Sequence, residues 1–513
     1  MFRSALAFIF STLGILAYSQ NDLDAIRYAR AGGGGSARFT SMGGAFGAVG
    51  ADLSSASYNP AGLGLFRKGE ISLGFGFRST NNSGNIYNKN TAVFDLNGVF
   101  NNFGLAVAWS PQNDPDSRHV LSFTNNQLQN FNSSIRISGY TNNSSIAKDM
   151  LNLAEMYKPV SGNVTQNLNN SYEGLAYNTY LLDVDNGKYF SFVDLKRSVK
   201  QTRDIVTSGR MNDLNFSYAY SYKDKFYLGA SIGIPQIRYE SSTTHYEQDD
   251  KDSMRIVLLG DSSFTDTYVD PLPILNSDYD ARLGFKSLEY TEYFKTTGSG
   301  INLKLGGIAR VTDFLRVGFY YHTPTFYSLE DTYYNTMNVF FDRSVVADYS
   351  KSPKDGGYYK YKLITPGKVS LNAAFIIKKL AVIGVDYEFV NYRNTLLRGE
   401  STDDFAGTNT LIKTKYSAGQ NLRIGGELKL NPIMIRLGYN MQGSPFGDVF
   451  SGSFVRNTFS AGIGFRSKKS FYCDLVVYKT LSQEDYYLYT TLNTKATLKY
   501  NSTTAAVTFG FKF

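Results

Sequence analysis

The C-terminal strand of this chain alternates strictly between two kinds of side chain. Apolar residues stand at every second position from Val507 to Phe513, and small or polar residues stand between them from Thr508 to Lys512. A period of two puts one kind of residue on each face of a β-strand. A membrane-spanning barrel needs this arrangement, because one face of each strand meets lipid and the other meets the lumen. An edge strand of a soluble β-sandwich alternates in the same way, so the number and spacing of the other strands must decide.

Strands of this kind recur from about residue 70 to the C-terminus, and we count fourteen. The tight connections lie near 111–117, 222–225, 312–313, 378–379, 431–432 and 467–470, and the longer or more polar ones near 80–91, 140–196, 246–285, 334–356, 399–410, 444–453 and 489–495. Short turns at one end and long loops at the other are typical of bacterial outer-membrane barrels. A soluble sandwich gives no reason for such alternation. The sequence therefore predicts an all-β fold, a 14-stranded antiparallel transmembrane β-barrel over 70–513 with long extracellular loops at 140–196 and 246–285.

The N-terminus has the three parts of a secretion signal. A basic residue, Arg3, precedes an apolar run over 5–16, and small residues lie just before Gln20. The apolar run is too short for a membrane-spanning helix. We predict a signal peptide at 1–19 and a mature chain that begins near Gln20.

Composition supports an outer-membrane barrel and excludes other classes. Aromatic residues make up 15% of the chain and charged residues only 19%, which suits lipid-facing strands with aromatic girdles. The net charge is +8, but the sequence contains no run of Lys or Arg of the kind that binds nucleic acid, so we predict no nucleic-acid partner. A single cysteine, Cys473, excludes an intramolecular disulfide. Because His119, His245 and His322 are scattered and no nucleophile motif is present, we predict no enzyme, no cofactor and no bound metal.

Between the signal and the first strand lies Ser41–Leu63, which is too rich in Gly and Ala for a strand and too broken for a long helix. A segment without large side chains can fold inside a confined space. We predict that residues 20–69 form a hatch, or plug, inside the barrel lumen. The long loop at 140–196 also contains some helix, because the apolar spacing of 145–157 suits a short one.

Two stretches resemble a known family. Residues 37–63 resemble the N-terminal hatch of the FadL/TodX (OmpP1-type) outer-membrane transporters of long-chain fatty acids and hydrophobic compounds, and Asn59-Pro60-Ala61 matches the Asn-Pro-Ala signature of that family. Gly306–Leu329 is similar to members of the family from the Bacteroidetes. The resemblance implies a fourteen-stranded barrel, a hatch that closes the lumen, and passive passage of hydrophobic molecules.

The resemblance also implies where the protein works and what it meets. We expect a monomer in the bacterial outer membrane, surrounded by outer-membrane lipid and lipopolysaccharide, that carries a hydrophobic small molecule such as a long-chain fatty acid. Passage would be gated by the hatch and would end with lateral exit through the barrel wall. An alternative is an interaction or shuttle protein for protein secretion or surface attachment, which would use the loops at 140–196 and 246–285. A third possibility, a general polar porin, predicts an unplugged lumen.

The family resemblance implies a gate at the hatch residues Gly43, Gly44, Asn59, Pro60 and Ala61. The structural alternative is that Pro60 simply ends a helix, because proline disfavours helical conformation at the residue before it. Both interpretations can hold at once. Whether the segment moves or only seals the lumen is left open by the sequence.

The third strand loses its alternation over 125–132, where asparagine and glutamine predominate. Asparagine on a lipid-facing position is costly unless the strand bulges or faces a gap. The family has a kinked third strand that opens the wall sideways, so we predict a lateral opening near Asn125, Asn126 and Asn130. The alternative is a strand that has already risen above the bilayer.

The alternation places several charged side chains on the lumen side of their strands. The candidates for a functional role are Arg78, Lys304, Arg316, His322, Lys368 and Arg423. One interpretation is that a few of these cations hold the carboxylate of a fatty acid. The other is a salt-bridge network that braces the lumen against the hatch.

Overall fold

The computed structural model describes residues 22–30, 32–157, 167–185, 187–194, 197–251, 253–254, 284–341, 348–378, 380–401, 403–446, 454–468 and 470–513. The predicted signal peptide at 1–19 lies outside these residues. So does most of the predicted loop at 246–285.

Among the described residues, eighteen strands form one antiparallel sheet that closes on itself, because the first strand pairs with the last. In chain order the strands are β1 (Glu70–Ile86), β2 (Lys89–Trp109), β3 (Ser117–Asn130), β4 (Ser133–Thr141), β5 (Leu182–Asp185), β6 (Lys188–Ser191), β7 (Val199–Tyr222), β8 (Phe226–Gln248), β9 (Phe285–Arg310), β10 (Leu315–His322), β11 (Thr325–Phe341), β12 (Asp348–Thr365), β13 (Lys368–Ile377), β14 (Ala381–Asn391), β15 (Leu396–Arg398), β16 (Ala418–Leu430), β17 (Ile433–Gln442), β18 (Arg456–Arg466), β19 (Phe471–Tyr486) and β20 (Ala496–Lys512). Strands β5 and β6 form a separate hairpin. Four crossings of the wall consist of two consecutive strands, namely β3 with β4, β10 with β11, β12 with β13 and β14 with β15. The wall therefore has fourteen crossings, which confirms the predicted 14-stranded barrel.

The outer face of the wall carries the apolar half of the alternation. In β20, Phe509 and Phe511 are 40% and 49% exposed, whereas Thr508 is only 1% exposed. A continuous belt of exposed apolar side chains would be a liability in water. In a closed barrel it is the lipid-facing band, and the sheet has no free first or last strand because β1 pairs with β20.

Two predicted loops are instead largely part of the wall. In the one predicted at 334–356, β11 continues to Phe341 and β12 begins at Asp348. The polar stretch at 80–91 continues as strand, with β1 running to Ile86 and β2 resuming at Lys89. Only Tyr87 and Asn88 turn the chain, with φ of 50° and 60°. The prediction was wrong here because this hairpin rises beyond the lipid-facing band, where the outer face of a strand can be polar as well.

Short helices occupy the N-terminal segment and the long loops. They are α1 (Asp22–Ala29), α2 (Ala37–Ser41), α3 (Ile146–Met156), α4 (Glu173–Asn178) and α5 (Ala406–Lys415), together with 3₁₀ helices at Leu53–Ser57, Pro60–Leu65 and Tyr392–Asn394. Helix α3 lies where the sequence predicts a helix, and Ser145 caps it by accepting a hydrogen bond from Ala147 N (3.0 Å). It packs with α4 and the β5–β6 hairpin at the long-loop end. In the described part of the chain, no helix is long and apolar enough to cross a membrane.

Candidate transport path

Residues 32–69, which we call the plug, cross the lumen near the short-turn end of the barrel. They touch opposite parts of the wall: Ala37 N donates to Thr508 Oγ1 in β20 and Gly47 N donates to Asp386 Oδ2 in β14, both at 2.8 Å. Each of these strand positions lies within six residues of a short-turn end of its strand. The predicted hatch inside the lumen is therefore confirmed.

Inward-facing glycines in the wall make room for the plug. They are Gly104, Gly229, Gly306, Gly318, Gly384, Gly425, Gly438 and Gly462. A Cβ atom at Gly425 would lie 2.1 Å from the carbonyl oxygen of Met42, and one at Gly306 would lie 1.9 Å from Asn59 Oδ1. Ordinary van der Waals contact begins near 3.4 Å, so a side chain at either position would collide with the plug. The sequence shows the small residues of the plug, but the matching small residues of the wall become evident only in the closed barrel.

The predicted gate residues Asn59, Pro60 and Ala61 are buried at the start of the 3₁₀ helix Pro60–Leu65. Asn59 caps this helix, since its Oδ1 accepts from Ala61 N at 3.1 Å. Its Nδ2 donates to Gly47 O at 2.6 Å and so ties two parts of the plug together. Pro60 is the first residue of the helix, where a missing N–H does no harm. Ala61 is fully buried between β8 and β9.

The other two predicted gate residues form the turn that ends α2. Gly43 and Gly44 have φ of 62° and 77°, in the left-handed region that glycine adopts without strain. Their N–H groups donate to Thr40 O and Phe39 O, each at 3.0 Å. The turn holds the plug backbone close against the wall.

A chain of buried charges joins the plug to the wall. Arg38 of the plug donates to Glu427 Oε2 at 3.0 Å, and Arg436 donates to the same oxygen at 2.7 Å. Arg436 also donates to Asp474 Oδ1 at 2.7 Å, which Arg466 contacts at 2.8 Å. Because Arg436 is fully buried, the charged residues of this network depend on one another to balance their charges.

Two of the predicted lumen residues lie beneath or beside the plug. Lys304 forms an ion pair with Asp213 at 2.5 Å. His322 Nε2 donates to Tyr58 O at 2.6 Å. Burial raises the pKa of Tyr58 to about 12, so its hydroxyl stays protonated and donates to Gly34 O.

Three more predicted lumen residues belong to the same region. Arg423 and Glu388 form an ion pair at 3.3 Å, and Lys368 adds a second positive charge near the same carboxylate. Arg316 donates to Val49 O of the plug at 3.2 Å. Arg316 thus holds the plug, whereas Lys368 and Arg423 line a small cavity of about 50 Å³ together with Lys304 and His322.

Helix α1 lies above the plug and reaches the long-loop end. Asp22 Oδ2 accepts from Lys415 Nζ at 2.7 Å and from Tyr416 OH at 2.6 Å, at the end of α5. Tyr28 is buried and packs edge-on against Phe131 of the wall. The N-terminal segment thus climbs through the lumen from the plug to the outer loops.

A cavity of about 950 Å³ is enclosed by α1, the top of the plug, the upper wall and the helices of the long loop. Its lining mixes aromatic and aliphatic side chains with charged ones. Some of the charges are paired within the lining, as in the ion pair of Arg203 with Glu292 at 2.6 Å. Glu173 of α4 also lines the cavity, and burial raises the pKa of its carboxyl group.

Arg30, Arg78 and Arg456, which we call the arginine group, line one side of this cavity. Arg30 is 7% exposed, and its Nη2 donates to Phe454 O at 2.7 Å. Its buried Nε has no hydrogen-bond partner among the described residues, and burial lowers the pKa of the guanidinium. Arg78 Nη1 donates to Asn130 O at 3.0 Å, and Arg456 lies within electrostatic range of both other arginines.

The arginine group carries more positive charge than its surroundings balance. Glu484 is the carboxylate within electrostatic range of Arg30 and Arg456, and it accepts a hydrogen bond from Tyr500. No ion pair joins any of the three arginines to a carboxylate in the described part of the chain. Sequence reasoning identified Arg78 but missed the other two. Arg456 could have been found, because it lies an even number of residues from Arg466 on the same strand and so faces the lumen as well. For Arg30 the sequence offers no pattern.

The wall has a gap in its hydrogen-bonded ladder beside this cavity. Strand β2 pairs with β3 only up to Asn102 and Asn126. Beyond that point, over 89–101, β2 has β1 as its sole ladder partner among the described strands. Strand β3 shifts register near Gln127 and breaks before β4, and the cavity lining includes residues from both sides of this gap.

The predicted lateral-opening residues lie at the lower border and at the end of this gap. Asn125 faces outward, and Asn126 faces the lumen and donates to Ser57 Oγ of the plug at 2.9 Å. Asn130 accepts from Asn132 N at the strand break. Several buried side-chain oxygens near the gap lack a hydrogen-bond partner in the described part of the chain, namely those of Asp95, Asn101, Asn125 and Gln129. Such atoms are costly unless water or a bound molecule satisfies them.

The three histidines are not part of one site. His119 stacks on Trp109 at the outer surface, His245 is buried against Glu247 near the long-loop end, and His322 contacts the plug. Among the described residues, no group of three His, Cys, Asp or Glu side chains could hold a metal ion.

The closed wall, the lipid-facing band and the lumen plug define a plugged β-barrel of the outer-membrane type. No protein-family model matches the sequence, and no curated protein matches it either. Solved structures do match. A FadL homologue from Pseudomonas aeruginosa superposes with a TM-score of 0.53 at 13% identity, over 94% of this chain and 98% of its own.

A monoaromatic hydrocarbon channel, a deletion mutant of TodX, superposes with a TM-score of 0.52 at 13% identity, over 94% of this chain and 99% of its own. The toluene transporter TodX of Pseudomonas putida matches with a TM-score of 0.48 at 12% identity, over 94% of this chain and 98% of its own. The two matches with a TM-score above 0.5 show that the chain has the FadL/TodX fold. The predicted origin in the Bacteroidetes is not addressed by these matches and stays a prediction.

Proposed function

We propose that this barrel conducts hydrophobic small molecules with an anionic group, such as long-chain fatty acids, passively across the bacterial outer membrane. The observation that carries the proposal is the cavity above the plug, which extends to the gap between β2 and β3. A substrate would enter the cavity from the loop side and leave sideways through the gap. No cofactor or energy source is needed for this route.

Lateral exit suits a hydrophobic substrate better than passage through the plug. The plug closes the lumen below the cavity with tight wall contacts and buried ion pairs. Moving an alkyl chain from an apolar site into water costs about 0.8 kcal/mol for each CH₂ group. A molecule that leaves through the wall reaches lipid directly and avoids that cost. Asn125, Asn126 and Asn130 would border the opening.

The arginine group favours an amphiphile over a neutral hydrocarbon. Guanidinium groups make charge-assisted hydrogen bonds to carboxylates, and all three arginines of the group line the cavity. A neutral molecule would leave the three arginines with only the counter-charge that Glu484 supplies, in surroundings of low dielectric. The aromatic and aliphatic part of the lining would then receive the tail.

The test is binding and uptake with matched ligands. Purified protein should bind oleate in competition with a fluorescent fatty acid, and oleyl alcohol, which has the same tail without the charge, should bind more weakly. Arg456→Gln should reduce this difference. Arg136→Gln serves as the control, because Arg136 is exposed on the outer face and paired with Asp204.

The outcomes distinguish failure of the transport proposal from failure of the proposed anion preference. If neither oleate nor toluene binds, and a deletion strain takes up both normally, the transport proposal is wrong. If oleate and oleyl alcohol bind equally, transport stands and the anion preference is wrong. The alternative role in protein secretion or surface attachment would be favoured by a deletion strain that takes up oleate normally and fails to display surface proteins.

A further inference from the structure

On one side of the barrel the lipid-facing band ends along a row of neighbouring strands. The last outward apolar residues there are Leu214, Ile234, Ile301, Phe326, Ile364 and Leu396. The next two outward positions on each of the longer strands are polar or charged. This border marks the level at which the wall leaves the hydrocarbon and meets the head groups of the outer leaflet.

Two pairs of like charges stand directly opposite one another at this border. Arg210 of β7 pairs in register with Arg238 of β8, and Lys362 of β12 pairs with Arg398 of β15. All four side chains are exposed on the outer face. Like charges directly opposite on neighbouring strands destabilise a sheet. Neither pair would be expected at such a position unless an anion balances it.

Three carboxylates lie near the two pairs. Glu400 is exposed one outward position above Arg398 and lies within electrostatic range of Lys360. Glu330 lies opposite Lys360, a fifth cation of the same border. Glu240 lies one outward position above Arg238 and accepts a hydrogen bond from Tyr293 at 3.0 Å. None of the four paired cations forms an ion pair with a carboxylate in the described part of the chain.

We infer that Arg210, Arg238, Lys362 and Arg398 bind the phosphate groups of phosphorylated lipids in the outer leaflet. Phosphate is the anion that a guanidinium fork fits best, and an arginine pair offers two such forks side by side. The occupant is a lipid rather than a soluble anion, because the site faces outward at the upper edge of the hydrocarbon band. This inference is independent of the transported substrate.

The register also places one of these sites beside the wall gap. Asn130, the last residue of β3, pairs with Arg210. A head group held by Arg210 and Arg238 would therefore lie next to the break in the third crossing of the wall. Lipid bound there would form part of the outer surroundings of the gap.

The test uses full-length protein purified in detergent and native mass spectrometry with added lipid A. We expect the unaltered protein to bind lipid A that carries its phosphates and to bind enzymatically dephosphorylated lipid A about tenfold more weakly, as the loss of charge-assisted hydrogen bonds implies. Arg210→Gln/Arg238→Gln should lose a similar factor. Arg136→Gln is the matched control, since this outward arginine is already neutralised by Asp204.

Two results would overturn the inference. One is equal binding of the two lipids by the unaltered protein, a comparison that needs no variant to fold. The other is a loss of lipid A binding in Arg210→Gln/Arg238→Gln no greater than in Arg136→Gln, with the heat-modifiable gel mobility of a folded barrel in both. A further loss on adding Lys362→Gln/Arg398→Gln would support the second pair.

Discussion

Alanine at Gly425 should displace the plug, whereas alanine at its neighbour Gly426 should leave it seated. A Cβ at Gly425 would lie 2.1 Å from Met42 O and 2.7 Å from Met42 C, both backbone atoms of the plug. A Cβ at Gly426, on the outer face, has no atom nearer than Val382 O at 3.8 Å. The two variants therefore differ only in which side of one strand receives the methyl group.

The size of the effect follows from the overlap. To bring the distance from 2.1 Å to the 3.4 Å of ordinary contact, the Met42 peptide would have to move by about 1.3 Å, and overpacking of this kind costs about 1–3 kcal/mol. Because each 1.4 kcal/mol is a factor of ten, the equilibrium between a seated and a displaced plug would shift by about 5- to 140-fold. The barrel wall itself should survive, since its ladder passes through both glycines unchanged.

Two measurements follow the plug separately from the wall. Conductance in planar bilayers should rise for Gly425→Ala, because a displaced plug lets ions through, and limited proteolysis should cut the N-terminal segment sooner. Gel mobility before and after heating reports whether the wall is folded. Equal conductance and proteolysis in Gly425→Ala and Gly426→Ala, with both barrels folded, would refute the claim that wall glycines seat the plug.

Three further predictions test the plug and its supports. Arg436→Gln should lower the free energy of unfolding by about 3–5 kcal/mol, because it leaves two buried carboxylates without the guanidinium they share; urea titration followed by the single tryptophan measures this. Asn59→Ala should cost about 1 kcal/mol through the lost helix cap, with earlier proteolysis of the plug as the readout and unchanged proteolysis as the contrary result. Leu53→Cys/Gly104→Cys should form a disulfide between plug and wall, because a Cβ at Gly104 would lie 3.1 Å from Leu53 Cβ, near the usual Cβ separation of about 3.8 Å. We expect equal oleate uptake with and without reductant in that variant; uptake that appears only after reduction would mean that this part of the plug must move.

Most of the wall could be predicted from the sequence, because lipid imposes a period of two on every strand that crosses it. The C-terminal strand from Val507 onward and the tight turn near 431–432 are examples in which pattern and structure agree. The pattern fails where the bilayer ends. At 80–91 both faces are largely polar, so the strand signal disappears although the hydrogen-bonded hairpin continues to Ile86.

The candidate site could be predicted only in part. Parity shows which side chains face the lumen, and it correctly gave an inward position to Lys304 and Arg78. The alternation does not show at which depth the plug lies, so it cannot distinguish a cation beneath the plug from one that lines the cavity above it. Arg30 and Arg456 are 426 positions apart in the numbering and meet only because the N-terminal segment folds back into the barrel.

The position of the plug argues for a gate above it. Displacing the base of the plug, the part around Arg38 that contacts the wall, would separate Arg38 from Glu427 and leave the charges around Arg436 unbalanced. Breaking one buried ion pair typically costs about 3–5 kcal/mol. The proposed route does not require that cost, because the cavity and the wall gap both lie on the loop side of the base. What borders this route is α1 with Arg30, together with the break at Asn130. A substrate carboxylate that binds Arg30 would act on α1 directly, so we expect the base of the plug to seal the barrel and α1 to be the part that responds to substrate.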